Sequence, residues 1–168
     1  AICSANDQQP AMAIRVNSFK TSLDLYREKL NKANIQFSEA ISENGVILKE
    51  PVPSKTLPGW LEGEASLQDL GAQYAAPLLM NALSKNTNTP TILDGCAAPG
   101  GKLSHLNELL GNTFTSYKLI AIEKDKKRLA VTRDLVARSQ QGEIENILFI
   151  EADSREPRQQ LQFNCDAI

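Results

Sequence analysis

A short apolar run, Thr91-Ile92-Leu93, is followed by Asp94-Gly95-Cys96-Ala97-Ala98-Pro99-Gly100-Gly101-Lys102, and then by Leu103, Leu106 and Leu110 at helical spacing. The pattern predicts a buried strand, a loop of small residues and a helix that stops at Gly111. Gly100 and Gly101 let a ligand approach the main chain, because no side chain shields it. The helix start adds unpaired N–H groups and a partial positive charge. In an α/β sheet such a turn is a cofactor site.

The spacing limits which cofactor. A triphosphate loop needs G-x-x-x-x-G-K-[ST], but Cys96 stands at the first Gly position and Leu103 after the lysine. A dinucleotide loop needs G-x-G-x-x-G, and the stretch from Gly95 to Gly100 lacks the middle Gly. The next apolar run, Lys118 to Ile122, ends at Glu123, and a third, Ile147 to Ile150, leads to Asp153. An acid at the second strand tip can accept from both ribose hydroxyls. Asp153 can accept from an exocyclic amine such as that of adenine. Each acid alone could be a solvated strand end. Together with the loop, the two acids suit S-adenosylmethionine better than a phosphate.

The rest of the chain supplies context. Residues 1–12 read as a flexible lead-in, polar through Pro10 and without an initiator Met, or as the cut end of a longer chain. From Ala13 the order is strand, helix from Ser18 to Asn34, strand and strand, a small α+β module over residues 13–62. The helix has Thr21 or Ser22 as its cap and Leu23, Tyr26 and Leu30 on its inner face. Pro51, Pro53, Pro58 and Gly59 form an extended linker ending at Trp60, which is expected to pack the linker onto the following domain. Residues 63–168 form the second domain. It opens with a helix from Ser66 to Leu83 in which Tyr74, Leu78 and Leu79 make apolar contacts. A later helix from Lys124 to Ser139 carries the basic cluster Lys124, Lys126, Lys127 and Arg128, expected as a solvated face. A fourth strand begins near Phe163.

Charge and cysteine usage exclude several classes. The net charge of −2 gives no global nucleic-acid signature, and the first 63 residues carry seven Lys/Arg against seven Asp/Glu. Cys3, Cys96 and Cys165 are too few and too scattered for a disulfide framework or a Cys-x-x-Cys metal pair. No metal site is expected, and a reducing cytoplasm fits. There is no apolar run of membrane-spanning length and no signal-peptide pattern.

The segment from Asp94 to Lys102 resembles the first motif of the RNA cytosine-C5 methyltransferases. Residues 51–59, with their three prolines, and 67–73, with Gln68, Asp69 and Gln73, are similar to further segments of that family. The likeness runs from Ala13 to the end and is nearest to the Fmu/Sun-type branch acting on bacterial small-subunit rRNA. It implies an α/β, Rossmann-like class I methyltransferase fold, truncated after the start of its fourth strand and preceded by an RNA-recognition-like module. It implies S-adenosylmethionine as cofactor and rRNA as partner, with carbon-5 of a cytosine as methyl acceptor. Cys96, Ala97, Ala98, Pro99, Gly100, Gly101 and Lys102 would wrap the methionine and ribose, Glu123 the ribose hydroxyls and Asp153 the adenine amine. Gln68 and Asp69 would lie near the pocket or serve as helix caps.

The family's chemistry uses one cysteine thiolate to attack carbon-6 of the base and a second to release the product. Both are expected beyond Ile168, so the chain is expected to hold no catalytic residue and to be inactive alone. Cys96, beside a helix start that activates thiols, is assigned instead to the cofactor wall. Cys165 is expected in the core. His105 is expected in a surface or packing role. The alternatives are a methyltransferase with a non-RNA substrate and a non-catalytic RNA-binding fragment.

Overall fold

The computed structural model describes residues 7, 10–83, 88–140, 144–156 and 164–168. Most of the expected lead-in, Cys3 and part of the loop after Asp153 lie outside the described residues.

The first sheet is antiparallel, with order β2-β3-β1-β4. It comprises β1 (Met12–Val16), β2 (Phe37–Glu39), β3 (Gly45–Leu48) and β4 (Ala65–Leu67). Helix α1 (Leu23–Lys32) packs on one face. Ser22 caps it, its hydroxyl accepting from Leu25 N at 3.3 Å, and Tyr26 and Leu30 bury on the spacing of one helical face. They meet Ile14, Val16, Val46 and Leu48 from alternate positions of β1 and β3.

Strand β4 corrects the expected helix at Ser66. Ile14 pairs with Leu67 and Val16 with Ala65, so these residues close the edge of the first sheet. Helix starts only at α2 (Leu70–Gln73) and continues as α3 (Ala75–Ala82). A lone three-residue strand has no periodicity to read; pairing with β1 decides it. Tyr74 and Leu78 are exposed, contrary to expectation, while Leu79 packs on the core as expected and Ala76 joins it.

The second sheet is parallel, ordered β5-β6-β7, from β5 (Thr91–Asp94), β6 (Lys118–Glu123) and β7 (Ile147–Glu151). Parallel neighbours require crossovers, here α4 (Gly101–Thr113) and α5 (Lys126–Ser139). Ile92, Leu103, Leu106, Leu110, Leu119 and Val136 join one core between sheet and helices. Helix α4 runs through Gly111 to Thr113, contrary to the expected stop, and glycine there leaves room for Phe19: a Cβ would lie 2.6 Å from its ring. The last described residues reach the other edge of β5. Ala167 O accepts from Leu93 N at 3.0 Å, and Asp166 N donates to Thr91 O at 2.8 Å. Chain order therefore reverses at β5.

The two sheets are joined by buried polar contacts. Arg15 of β1 pairs with Glu108 of α4, both side chains at most 2% exposed. Glu108 Oε1 also accepts from Ser18 N at 2.7 Å and Ser18 Oγ at 2.6 Å. Asn17 Nδ2 donates to Gly63 O and Ser139 O at 2.9 and 2.6 Å. Trp60 packs as expected: the Arg138 guanidinium of α5 lies 4.4 Å from its ring centroid.

Candidate functional site

The turn from β5 into α4 lies where strand order reverses, with β6 on one side of β5 and the C-terminal residues on the other. Asp94 ends β5, and its Oδ1 accepts from Cys96 N at 3.2 Å. Burial pushes the Asp94 carboxyl up from its ordinary value, opposed by that N–H and by Lys102. Ala97 N donates to Ile122 O at 3.0 Å, which ties the loop across to β6. Gly100 caps α4 at φ 105°, a conformation that L side chains rarely adopt. A Cβ there would also lie 3.1 Å from Thr132 Cγ2 on α5, so the dihedral favours glycine and a side chain would press on α5 as well.

The loop separates two cavities. The larger, of about 560 Å³, lies between the loop and the first sheet; its walls include Met12, Gln68, Asp69, Cys96, Gly100 and Lys102. The smaller, of about 320 Å³, lies at the tips of β6 and β7; Glu123, Lys124, Arg128, Asp153 and Arg155 line it. Cys96 and Ala98 border both. Of the expected residues, Ala97, Pro99, Gly100, Gly101 and Lys102 face the larger cavity, while Glu123 and Asp153 face the smaller. Neither cavity alone holds all nine, but their shared border joins them along one loop.

Glu123 is 6% exposed at the end of β6. Its Oε1 accepts from Asp125 N at 3.0 Å, and its Oε2 lies 3.7 Å from Arg128 Nη1. Arg128 also donates to Ala98 O at 3.4 Å, so it bridges α5 and the loop. Asp153 accepts from Arg155 Nε and Nη2 at 3.0 and 2.6 Å and from Arg155 N at 3.0 Å. This fork holds the Asp153 carboxyl well below the usual carboxylate range. Arg128, expected on a solvated helix face, instead reaches back to Glu123 and the loop, and Arg155 had no expected role. The available signal was spacing: the first turn after an acidic strand tip returns a side chain over that tip, and Arg155 follows Asp153 by two.

Three further side chains were singled out from the sequence. Cys96 is exposed at the cavity border and Cys165 is partly buried against Ile120 and Ile122. His105 lies inside the fold at 4% exposure, and burial, aided by Arg15, pushes its pKa down to about 3. Among the described residues no group of three His, Cys, Asp or Glu side chains could hold a metal ion, and no helix is long and apolar enough to cross a membrane.

A parallel sheet with a switch-point loop and acidic tips on the two following strands defines a Rossmann-like fold of the class I methyltransferase type. Known proteins agree. Residues 80–168 match the model of the 16S rRNA methyltransferase RsmB/F family, and residues 1–55 match the Methyltr_RsmF/B-like, ferredoxin-like domain. The ribosomal RNA small subunit methyltransferase B of Pseudomonas syringae pv. tomato is 37% identical over 145 residues, covering 82% of this chain and 31% of the relative. That of Shewanella oneidensis is 42% identical over 128 residues, covering 76% and 28%. The crystal structure of a methyltransferase homolog protein from Pyrococcus horikoshii superposes with a TM-score of 0.75 at 27% identity, covering 91% of this chain and 47% of that one. The chain belongs to the 16S rRNA methyltransferase RsmB/F family. It spans under a third of the length of these two curated relatives.

Proposed function

We propose that this chain is the cofactor-binding portion of an S-adenosylmethionine-dependent enzyme that methylates carbon-5 of a cytosine in rRNA, acting in the cytoplasm. The observation that carries the reading is the pair of cavities meeting at the loop from Cys96 to Lys102. One end presents the buried acid Glu123 and Asp153, as a nucleoside requires; the other presents main chain freed of side chains at Gly100 and Gly101. The residues fit the group: Glu123 Oε2 has its nearest cation at 3.7 Å, which leaves it able to accept from ribose hydroxyls. Asp153, oriented by the Arg155 fork, would accept from an exocyclic amine. When bound, S-adenosylmethionine supplies an electrophilic methyl group.

The α+β unit built on β1 to β3 and α1 serves as the RNA-recognition-like module, and its buried polar contacts fix it to the methyltransferase unit. In this reading Cys96 belongs to the cofactor wall and Cys165 to the core, so the 168-residue chain alone transfers no methyl group. The relatives are named as small-subunit rRNA methyltransferases, which supports RNA as the substrate class.

Calorimetric titration with S-adenosylmethionine tests the cofactor assignment. Glu123→Ala removes a carboxylate that accepts two hydroxyls, so affinity falls about 10- to 100-fold, the worth of one or two charge-assisted hydrogen bonds. Unchanged affinity removes Glu123 from the site. Methyl transfer from labelled cofactor to rRNA by the full-length gene product tests the reaction, and turnover by the 168-residue chain refutes its assignment as inactive.

A further inference from the structure

Another cavity, of about 260 Å³, lies at the seam between the two units and shares no wall residue with the two that meet at the loop. Gln73 and Tyr74, where α2 passes into α3, line it together with the turn between β2 and β3 and with His105 and Leu109 of α4. His105 is 4% exposed, yet its Nδ1 has no hydrogen-bond partner. Buried side-chain nitrogens nearly always have one. Burial beside Arg15 keeps the imidazole neutral, so Nδ1 is an unused donor or acceptor according to the tautomer. The polar neighbours are already engaged. Gln73 Nε2 donates to Gln68 O at 2.8 Å, and Gln73 Oε1 accepts from Ser42 Oγ at 2.5 Å. Arg15, a cation in the wall, is neutralised by Glu108. Two large apolar side chains of the same cavity stay open to solvent, Tyr74 at 38% and Ile41 at 93% exposure.

An aromatic face, an apolar surround and one unused polar atom suit an uncharged flat ring with a hydrogen-bonding edge. Resting on the RNA reading above, we propose that this cavity takes an unstacked nucleobase of the RNA substrate. The base stacks on Tyr74, with Ile41 and Pro77 around it, and its edge meets His105 Nδ1. Every base has a π-face, and single-stranded RNA splays bases out for such contacts. A purely apolar group would leave Nδ1 unmet, and a phosphate would meet Glu43 where it needs a cation. The walls come from both units, so a base seated here ties RNA across the seam and clear of the cofactor cavities.

The chain has a single histidine, so its ring nitrogens report on this cavity without ambiguity. The 168-residue chain, labelled with nitrogen-15 at histidine and saturated with S-adenosylhomocysteine to fill the cofactor site, is titrated with adenosine, cytidine, guanosine and uridine. At least one nucleoside is expected to move the Nδ1 resonance saturably. Tyr74→Ala, at an exposed position, is expected to weaken that nucleoside about tenfold, the size of one lost base-stacking contact, while Tyr74→Phe keeps most of the affinity. S-adenosylhomocysteine binding is expected to be unchanged in both variants. No response to any nucleoside, or equal affinity in Tyr74→Ala, overturns the inference. So does a saturable response to N-acetyltryptophanamide alone, which would mark a protein partner instead. Methylation of rRNA by the full-length gene product would leave the RNA reading standing in each of those cases. A histidine response to nucleosides in a chain that binds no S-adenosylhomocysteine supports this site and removes the cofactor reading.

Discussion

Replacing Glu108 by Leu isolates what the buried pair between the two units contributes. The carboxylate is 2% exposed, pairs with Arg15 and accepts twice from Ser18. Without it, the Arg15 guanidinium stays buried with Gln68 Oε1 at 2.8 Å and Ser104 Oγ at 3.5 Å, neither of them charged. Removing one partner of a buried ion pair costs about 3–5 kcal/mol, because the remaining charge is uncompensated. At roughly 2–4 °C per kcal/mol for a chain of this size, the melting temperature falls by about 6–20 °C. Substituting both partners has a different consequence. Arg15→Met with Glu108→Leu removes both desolvation penalties and keeps the volume filled, so the double variant loses at most about 1–2 kcal/mol. Urea unfolding of wild type, both single variants and the double variant completes a double-mutant cycle. The expected coupling is several kcal/mol, with the double variant more stable than either single one. A Glu108→Leu loss under about 1 kcal/mol, or a double variant as weak as the sum of the singles, refutes the idea that charge compensation holds this interface.

The remaining expectations concern one buried base and two glycines. His105, with its pKa near 3 against an ordinary 6.5, stays neutral in the folded chain and protonates on unfolding. Its contribution is therefore fully present above pH 6.5 and is lost as pH falls toward 3, by about 1.4 kcal/mol per pH unit. Between pH 6.5 and 4.5 wild type should lose about 2–3 kcal/mol relative to His105→Gln; parallel urea midpoints across that range would dismiss the effect. Gly100→Ala places a side chain at φ 105° and 3.1 Å from Thr132, so stability falls by about 1–3 kcal/mol and cofactor affinity falls with it. An alanine as stable and as tight-binding as glycine in thermal melts and calorimetry contradicts the strain. Gly63→Ala is expected to be worse: at φ +74° its Cβ would lie 2.0 Å from Arg138 O, so backbone must move, and soluble yield with near-wild-type melting would count against the packing described.

Local chemistry made much of this legible. The strand, loop and helix from Thr91 to Leu110 follow from apolar spacing and small-residue punctuation, as do Glu123 at the end of β6 and Asp153 just past β7. Helix α1, with Tyr26 and Leu30 inward, follows from its period and its serine cap. These are properties of neighbours in the chain, so the chain order reveals them. The loop and both acids indeed converge on two adjoining cavities.

Contacts between distant residues were not legible. Ala65 to Leu67 become a strand only because β1 has a free edge 50 residues upstream, and no local preference announces it. Gly111 reads as a helix stop, yet the helix passes through it, and the ring of Phe19 packed over it shows why a glycine stands there. Arg15, Asn17 and Glu108 look like surface residues, since a charge is buried only where a partner far along the chain neutralises it. Residue order alone thus determined most of the elements and where the small-residue turn lies, because helix caps, periodicity and glycine act over a few residues. Tertiary structure decided how the small sheet docks, which arginines hold the acids and where His105 lies, because charge pairing and steric fit depend on residues that only folding brings together.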